Sequence, residues 1–161
     1  MVGKRYFREF MNYLVLVILV MVLSFSALSF ASNESDKENV LGLWLTKKKD
    51  VVVQIKHCEE KTLCGYVSWI SPEEMNEKNA TLCGRKVLWG ARLADDQPIR
   101  WVGGVLYKAD EDKYYSANLQ LIDADTLALR AYIGVPLLGK TKKLTRTSEK
   151  AHPSCIVPNQ P

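Results

Sequence analysis

Histidine is scarce in this chain, and its cysteines lack the spacing of a metal or redox motif. Among 161 residues there are two histidines, His57 and His152, and four cysteines, with no Cys-x-x-Cys pair. Structural zinc sites use such pairs or clustered histidines, and dithiol redox centres use Cys-x-x-Cys. His57 and Cys58 are adjacent, so on a strand they point to opposite faces and do not form a catalytic pair. The sequence therefore predicts a non-catalytic protein without a metal or a cofactor.

Charge is absent from the run Leu14–Phe30. This run follows a basic start, Lys4–Arg8, and ends in Ser29-Phe30-Ala31, a small-x-small cleavage signal. A basic start, an apolar middle and small residues at the end are typical of a secretory signal peptide. The sequence therefore predicts a signal peptide over residues 1–31, cut after Ala31, and a short linker over residues 32–39.

The predicted location of the protein is the periplasm or the medium. The alternative is an inner-membrane anchor through an uncleaved N-terminal segment, because a membrane span needs about 20 residues and the apolar run approaches that length. A lipoprotein is disfavoured, since no cysteine follows the run before Cys58.

An excess of charge of one sign is also missing. The whole chain has 22 basic and 18 acidic residues, a net charge of +4, which falls to +2 once Lys4, Arg5, Arg8 and Glu9 are removed with the signal peptide. This balance does not predict nucleic-acid binding. The most basic stretch, Lys140-Thr141-Lys142-Lys143, is interpreted as a solvated strand face, with at most a weak attraction to an anionic envelope surface.

Eight short segments of alternating apolar and polar residues follow the linker. Period-two alternation with regular turn signals is typical of antiparallel strands, and no segment has a helical period. The predicted strands are Val40–Thr46, Val51–Cys58, Leu63–Ile70, Lys86–Leu93, Ile99–Tyr107, Tyr114–Ile122, the run TLALRAYIG at 126–134, and Leu137–Arg146.

Eight sequential strands in one small domain predict an all-β fold, an eight-stranded antiparallel up-and-down barrel over residues 40–147. Gly103-Gly104 within a strand pattern predicts a bulge or bend. A barrel of this size holds side chains or one small ligand. Residues 148–161 are predicted to form a C-terminal tail, of which Ala151–Pro161, with three prolines, is expected to be loosely held.

The four cysteines, Cys58, Cys64, Cys83 and Cys155, are interpreted as two disulfides of an exported protein, for which three pairings exist. Cys58 ends one predicted strand and Cys64 begins the next, so both lie at the same end of a hairpin. Cys64 and Cys83 instead lie a strand length apart, roughly 20 Å, whereas bonded cysteines have Cα atoms within about 7 Å. The favoured pairs are Cys58–Cys64 and Cys83–Cys155, and the second of these would tie down the Pro-containing tail.

Gly42, Trp44 and Arg146 carry a resemblance to the lipocalin and calycin barrels. A Gly-x-Trp opening and a late arginine are similar to the pattern of those barrels, in which the arginine packs across the tryptophan and closes the barrel floor. A guanidinium over a desolvated indole stabilises by on the order of 1–2 kcal/mol.

A wider set of residues resembles the bacterial exported family called domain of unknown function 2147. The matching pieces are Gly42-x-Trp44, Cys58, Leu63-Cys64-Gly65, Leu82-Cys83-Gly84, Trp101-x-Gly103-Gly104, Tyr107, Tyr115, Leu127-x-Leu129-Arg130-x-Tyr132-x-Gly134, Gly139-x-Thr141 and Arg146. The chain departs from the family pattern at Leu144, Lys108-Ala109, Asn79-Ala80 and Ala131. The resemblance implies a lipocalin-like barrel outside the cytoplasm and brings no established activity.

Aromatic residues within the predicted strands suggest the function. Tyrosine and tryptophan can present an apolar body and a polar tip to a ligand at a barrel mouth. The candidate ligand-binding residues are Tyr66, Trp69, Tyr107, Tyr115 and Tyr132. The favoured interpretation is non-catalytic binding of a small apolar or amphipathic molecule, and the alternative is an envelope or host-facing protein-interaction module whose barrel interior is packed.

Overall fold

The computed structural model describes residues 14–15, 38–95 and 97–155. Most of the predicted signal peptide and linker, and residues 156–161 of the tail, lie outside these ranges. The chain divides into two compact units, Met1–Ser35 and Asp36–Pro161, and the second contains the strands described below. None of the helices in the described ranges has the length and apolar character that a membrane span requires.

Eight strands pair in sequence order into a closed antiparallel barrel, which confirms the predicted fold. The strands are β1 (Gly42–Thr46), β2 (Val51–His57), β3 (Leu63–Ile70), β4 (Lys86–Ala94), β5 (Gln97–Lys108), β6 (Lys113–Asp123), β7 (Thr126–Tyr132) and β8 (Lys140–Thr147). A four-residue helix, α1 (Glu77–Ala80), and two 3-10 turns, Glu59–Lys61 and Pro136–Leu138, lie in the connections.

The last strand begins later than the sequence pattern predicts, at Lys140 instead of Leu137. Pro136 begins a 3-10 turn that ends at Leu138. Proline has no backbone N–H to donate to a strand ladder, so the apolar residues that follow it enter a turn. The β7–β8 connection is therefore a longer loop than expected, and its residues, 133–139, belong to neither strand.

Pairing of β1 with both β2 and β8 closes the barrel. Trp44 lies opposite Val53 on one side and opposite Arg146 on the other. Residues directly opposite each other in an antiparallel pair share a face of the sheet, so this row points into the barrel. Closure leaves no sheet edge for another chain to extend.

The two ends of the barrel differ, and we name them by their packing. The closed end holds the first residues of β1 and the last of β8, with Trp44 and Leu127 fully buried in the main core. The open end holds the loops β1–β2, β3–β4, β5–β6 and β7–β8. The main core consists of Val40, Trp44, Ile55, Leu63, Leu88, Ala91, Trp101, Ala117, Leu119, Leu121, Leu127 and Leu144.

A bulge interrupts the pairing of β5 with β6 at the predicted glycine pair. The register shifts between Trp101 and Gly104, and Gly103 adopts a φ of 72°, a left-handed conformation that favours glycine. A Cβ at Gly104 would lie 3.0 Å from the Cβ of Ala91, so the sheet packs closely there. The extra residue bends the strand and helps the sheet to curve into a barrel.

The tail is fastened against the outside of the barrel over residues 148–155: the predicted Cys83–Cys155 bond ties it down, and further contacts hold it more firmly than expected. The amide of Cys155 donates to the carbonyl of Ser68 at 2.7 Å. His152 lies 2.7 Å from the hydroxyl of Thr147 and meets the ring of Trp69 edge-on, with the ring centroids 4.6 Å apart. Prolines prevent a ninth strand, but backbone and side-chain contacts still hold the segment in place.

Two disulfides join the pairs that the strand order favours. Cys58 and Cys64 bridge the β2–β3 connection, with Cα atoms 5.7 Å apart. Cys83 and Cys155 have Cα atoms 5.9 Å apart and link the β3–β4 connection to the tail across 72 residues of sequence. Two disulfides fit a compartment outside the reducing cytoplasm.

Candidate functional site

Burial along β6 and β7 falls from the closed end to the open end. On β6, Leu121, Leu119 and Ala117 share one face and are buried, whereas Tyr115 on the same face is only half-buried. On β7, Leu127 is fully buried and Leu129 is half-buried. The same inward row therefore leaves the packed core and becomes accessible near the open end.

Strand register identifies the inward residues of this accessible region. Leu106 of β5 lies opposite Tyr115 of β6, two residues beyond the inward pair Gly104 and Ala117. On the other side of β6, the inward Ala117 lies opposite Ala131 of β7. We name the half-buried inward residues Leu106, Tyr115, Leu129 and Ala131 the mouth residues.

Two lysines complete the inward face at the mouth. Leu129 lies opposite Lys142 of β8, and Ala131 lies opposite Lys140. Both lysines are exposed. An apolar wall with ammonium groups at its rim suits a molecule that has an apolar body and a polar or anionic end.

The hydroxyl of Tyr115 is held by a charged network in the β5–β6 loop. It donates to the carboxylate of Glu111, which also accepts from the ammonium of Lys108. Lys108 lies 3.1 Å from Asp110 as well. The bond to Glu111 raises the pKa of Tyr115 above its ordinary value, and Lys108 first and then Tyr115 lower the pKa of Glu111. The ring of Tyr115 is thereby fixed at one side of the mouth.

The other predicted ligand-binding aromatics do not join Tyr115. Tyr66 lies opposite Gln54, one residue away from the inward Gly65, so it faces outward, where Lys56 lies 5.8 Å from its ring centroid. Tyr107 also faces outward, since it pairs with Tyr114 next to the inward pair of Leu106 and Tyr115.

The remaining two candidates also lie away from the mouth. Tyr132 pairs with Ser116 on the outer face, and its hydroxyl lies 3.5 Å from the side chain of Asn118. Trp69 follows a register shift in β3 and packs against His152 of the tail. The structure thus brings one of the five predicted aromatics, Tyr115, to the inward face of the mouth.

The opposite side of the open end is filled. Val67, Ile70, Cys83 and Val87 form a second buried cluster, against which Leu82 packs. Leu82 and Cys83 belong to the β3–β4 connection, and Val67 lies opposite the inward Val53, so this connection covers part of the open end. The accessible part of the mouth lies on the side of β5 to β8.

Two depressions in the surface lie outside the barrel interior. One, of about 540 Å³, is lined by Lys48, Lys49, Asp50, Ser71, Glu73 and Glu74. The other, of about 220 Å³, is lined by Arg100, Asn118, Leu119, Gln120, Ala128, Arg130 and Thr141. None of the five aromatic candidates lines either depression. Within residues 14–15, 38–95 and 97–155, no group of three or more His, Cys, Asp or Glu side chains is arranged to hold a metal ion.

Gly42, Trp44 and Arg146 form the floor at the closed end. The guanidinium of Arg146 lies 4.3 Å from the ring centroid of Trp44. Gly42 has a φ of 117°, and a Cβ there would lie 3.2 Å from the Nη1 atom of Arg146. The glycine therefore gives the arginine the space that it needs to cover the indole.

A family model described as "Uncharacterized protein conserved in bacteria (DUF2147)" matches residues 42–146, from the glycine of this floor to its arginine. The chain belongs to this family. The match covers all of the barrel but the last residue of β8, and it confirms the resemblance carried by the sequence motifs. A search among curated proteins finds no significant match.

A solved structure shares the fold. It is described as "Protein HP1028 from the human pathogen Helicobacter pylori belongs to the lipocalin family". The two chains are 16% identical and superpose with a TM-score of 0.52, over 69% of this chain and 84% of that one. At this identity the likeness shows the fold alone, a lipocalin-like barrel.

Several family-pattern residues build the β7–β8 loop, a role that the sequence did not reveal. Arg130 donates to the carbonyls of Pro136 at 2.6 Å and Leu137 at 3.0 Å, and to the hydroxyl of Thr141 at 2.8 Å. Gly139 packs so closely that a Cβ would lie 2.7 Å from the carbonyl oxygen of Ala131. The DUF2147 pattern thus includes residues that hold one loop at the open end in a defined shape.

Proposed function

We propose that this DUF2147 protein is an exported, non-catalytic barrel that binds a small apolar or amphipathic molecule at its open end. The observation that carries the proposal is the half-buried state of the four inward mouth residues, Leu106, Tyr115, Leu129 and Ala131. Leu106 and Leu129 pack against the edge of the main core, and the surface that the core leaves uncovered is available to a ligand. An eight-stranded barrel has room for one small ligand.

The chemistry of the mouth favours a ligand with a polar or anionic end. Its apolar part would pack on Leu106 and Leu129, and its polar end would meet Lys140 and Lys142 at the rim. The hydroxyl of Tyr115 is engaged by Glu111, so its ring contributes apolar surface. The lipocalin description of the Helicobacter pylori protein and the N-terminal signal pattern support the proposal as well.

A fluorescent probe, 11-(dansylamino)undecanoic acid, tests this site because it combines an alkyl chain with a carboxylate. We expect saturable binding with increased dansyl emission. Leu106→Asn places an amide on the inward face and should weaken binding by about tenfold or more, the equivalent of about 1.4 kcal/mol. Val105→Asn is the matched control, because Val105 is the neighbouring residue on the outer face of the same strand.

The proposal fails if the probe does not bind saturably to the folded protein, or if the two asparagine variants weaken binding equally. Circular dichroism and urea unfolding of each variant separate loss of the site from loss of the fold. An uncharged dansyl amide of the same chain length measures what the carboxylate contributes. We expect it to bind more weakly than the acid.

A second candidate function is a protein-interaction module with a packed interior. The observation that favours it is the filling of one side of the open end by Leu82 and Cys83 of the β3–β4 connection. A module of this kind would bind a partner protein through an outer face and leave the probe free. Absence of probe binding, together with a partner retained through an outer face in pull-down experiments, would favour this alternative.

A further inference from the structure

Exposed large apolar side chains concentrate at the open end. Among the described residues of the second unit, these side chains are Met75, Tyr114, Ile122, Ile133, Val135, Leu137 and Leu138. Of these, Ile122 lies near the closed end, and the others belong to loops or strand ends at the open end. Four of them fall within seven residues of the β7–β8 loop, and we name Ile133, Val135, Leu137 and Leu138 the apolar tip.

The apolar tip is strongly exposed, with 85% of Leu137 and 78% of Leu138 accessible to solvent. Single exposed apolar residues are common on protein surfaces, but a contiguous set usually marks an interaction site. Two adjacent leucines at this exposure, with Ile133 and Val135 close in sequence, form such a set.

The tip is held in shape, so its exposure is a property of an ordered loop. Arg130 binds the carbonyls of Pro136 and Leu137, and the amide of Gly139 donates to the carbonyl of Pro136 at 3.0 Å. Gly139 fits against Ala131 with no room for a Cβ. The loop backbone is bonded to the barrel, and the apolar side chains project from it.

The register also shows that the tip projects beyond the neighbouring strand. β1 ends at Thr46, which lies opposite Leu144 of β8, whereas β8 begins at Lys140. Four residues of β8 therefore extend past the end of β1, a distance of about 13 Å at the usual rise of a strand. The β7–β8 loop stands at the end of this extension.

Lysines lie beside the base of this projection, on its β1 side and on β8 itself. Lys47, Lys48 and Lys49 form the exposed β1–β2 turn, next to the extended part of β8, which itself carries Lys140 and Lys142. We name Lys47–Lys49 the lysine turn. Asp50, Glu73 and Glu74 line the same surface depression as Lys48 and Lys49, whereas Asp110 and Glu111 contact Lys108 in their own loop.

We propose that the apolar tip inserts into the interfacial layer of an anionic lipid membrane, with the lysine turn against the lipid headgroups. A convex projection with an apolar end suits a fluid lipid surface, which needs no matching groove. Lysines near an anionic leaflet each add attraction that decreases with salt. The open end of the barrel then faces the membrane from which an amphipathic molecule could enter.

Vesicle sedimentation tests the docking surface. The full-length sequence is expressed, and the folded product is recovered without detergent, so that all variants carry the same N-terminus. Binding is measured to vesicles of phosphatidylcholine alone and to vesicles of phosphatidylcholine mixed with phosphatidylglycerol. We expect binding to the anionic vesicles that weakens as salt is added, and weaker binding to the neutral ones.

Two variants separate the apolar and the charged contributions. Leu137→Ser with Leu138→Ser should weaken vesicle binding by about tenfold or more, because each leucine loses its apolar burial in the membrane. Ile122→Ser is the matched control at an exposed apolar residue near the other end. Replacing the lysine turn with three glutamines should also weaken binding by about tenfold or more.

The charge control replaces Lys56, Lys61 and Lys150 with glutamine, which removes the same charge elsewhere. Both Lys49 and Lys61 have a φ of 60°, so the two triple variants carry the same kind of backbone conformation. Equal binding to neutral and anionic vesicles, or a serine variant that binds as tightly as the wild type, would overturn the proposal.

A second copy of the chain is the alternative partner of the apolar tip. If the tip joined two copies of the chain, the serine variant would abolish a dimer in sedimentation equilibrium and leave vesicle binding unchanged, which would also overturn lipid docking. The dansyl probe distinguishes this proposal from the ligand site, since the serine variant should keep the probe affinity of the wild type. Conversely, if Leu106→Asn loses probe binding but keeps vesicle binding, the ligand site and the membrane-docking surface are separate.

Discussion

The guanidinium of Arg146 lies over the indole of Trp44, 4.3 Å from the ring centroid, and joins the last strand of the barrel to the first. The same guanidinium donates to the carbonyl of Ala124 at 2.6 Å and to that of Leu41 at 3.1 Å, and it also binds the carbonyl of Asn39. One side chain therefore connects the segment before β1, the β6–β7 turn and the core tryptophan.

Replacement of Arg146 should destabilise the barrel more than replacement of an exposed residue on the same strand. Arg146→Ala removes a cation–π contact and several charge-assisted hydrogen bonds, and we expect the free energy of unfolding to fall by about 2–4 kcal/mol. Arg146→Lys keeps the charge but loses the planar group that reaches several carbonyls, so we expect a fall of about 1–2 kcal/mol. Urea unfolding measures both.

The control for Arg146 is Lys143→Ala, an exposed position on β8. Substitutions at such positions usually change stability by less than about 0.5 kcal/mol. If Arg146→Ala were no more destabilising than Lys143→Ala, the closed-end floor would not contribute to stability in the way described.

The two disulfides should contribute unequally. In the chain-entropy description, a cross-link stabilises more when it closes a longer loop. The Cys83–Cys155 bond closes 72 residues and the Cys58–Cys64 bond closes 6. Replacing both cysteines of a pair with serine should therefore lower the free energy of unfolding by about 4 kcal/mol for Cys83–Cys155 and by about 2 kcal/mol for Cys58–Cys64.

Limited proteolysis adds a local measurement to the disulfide experiment. Without the Cys83–Cys155 bond, residues 148–155 lose their covalent link to the barrel and keep weaker contacts, such as that of His152 with Trp69. We expect cleavage within this segment in the Cys83→Ser/Cys155→Ser variant and protection in the Cys58→Ser/Cys64→Ser variant. Equal cleavage in both variants would contradict the role given to the long-range bond.

Alternation of apolar residues carried enough information for the number and order of the strands. The apolar alternation that begins at Thr126 puts Leu127, Leu129, Ala131 and Ile133 on one face. The first three lie on the inward face of β7, whereas Ile133 falls in the β7–β8 loop. Alternation is a strong signal here because each strand has one face in the core and the other in solvent.

The candidate site was less predictable, because a bulge changes which face a residue occupies. Trp69 follows a shift in register between Val52 and Val53, and Tyr66 lies on the outer face next to Gly65. Aromatic character alone does not indicate the face. The structure of the β7–β8 loop depends on Arg130 reaching the backbone of residues six and seven positions away, which no local pattern encodes.

Two glycines of the β7–β8 loop should tolerate alanine to different extents, for different reasons. At Gly139 a Cβ would lie 2.7 Å from the carbonyl oxygen of Ala131 and 2.8 Å from the Cβ of Tyr132, so the loop must move away from the strand. At Gly134 a Cβ meets nothing within 4 Å, but φ is 76°. We expect the free energy of unfolding to fall by about 1–3 kcal/mol in Gly139→Ala and by about 1 kcal/mol in Gly134→Ala.

Thermal unfolding orders these two glycine variants, and hydrogen exchange locates their effect. The amides of Leu138 and Gly139 bond within the loop, so their exchange should accelerate in Gly139→Ala. Gly139→Ala with unchanged stability and exchange would contradict the close packing of this loop.

The hydrogen bond between Tyr115 and Glu111 predicts a late-ionising tyrosine. The pKa of Tyr115 is raised first by its bond to Glu111, so its neutral form is favoured in the folded protein. The stabilisation from the hydrogen bond of Tyr115 to Glu111 is therefore complete below the ordinary tyrosine pKa of about 10. It is lost as the pH rises through the higher pKa that Tyr115 has in the folded protein. The pKa of Glu111 is lowered first by Lys108. The stabilisation from ionised Glu111 is therefore present above about pH 4.3 and is lost as the pH falls through the lower pKa that Glu111 has in the folded protein.

Spectrophotometric titration of phenolate absorbance tests this prediction. The wild type should contain tyrosines that ionise late, namely Tyr115 and also Tyr107, whose pKa is raised by its bond to Asp112. In Glu111→Gln, Tyr115 should ionise at a lower pH than in the wild type, because the carboxylate that favours the neutral phenol is gone. Tyr107 should still ionise at high pH. Tyr115→Phe should remove one late group, and Glu74→Gln, the same charge change elsewhere at the open end, should leave the titration unchanged. A Glu111→Gln titration that superposes on the wild type would show that the loop does not hold Tyr115 at the mouth in solution.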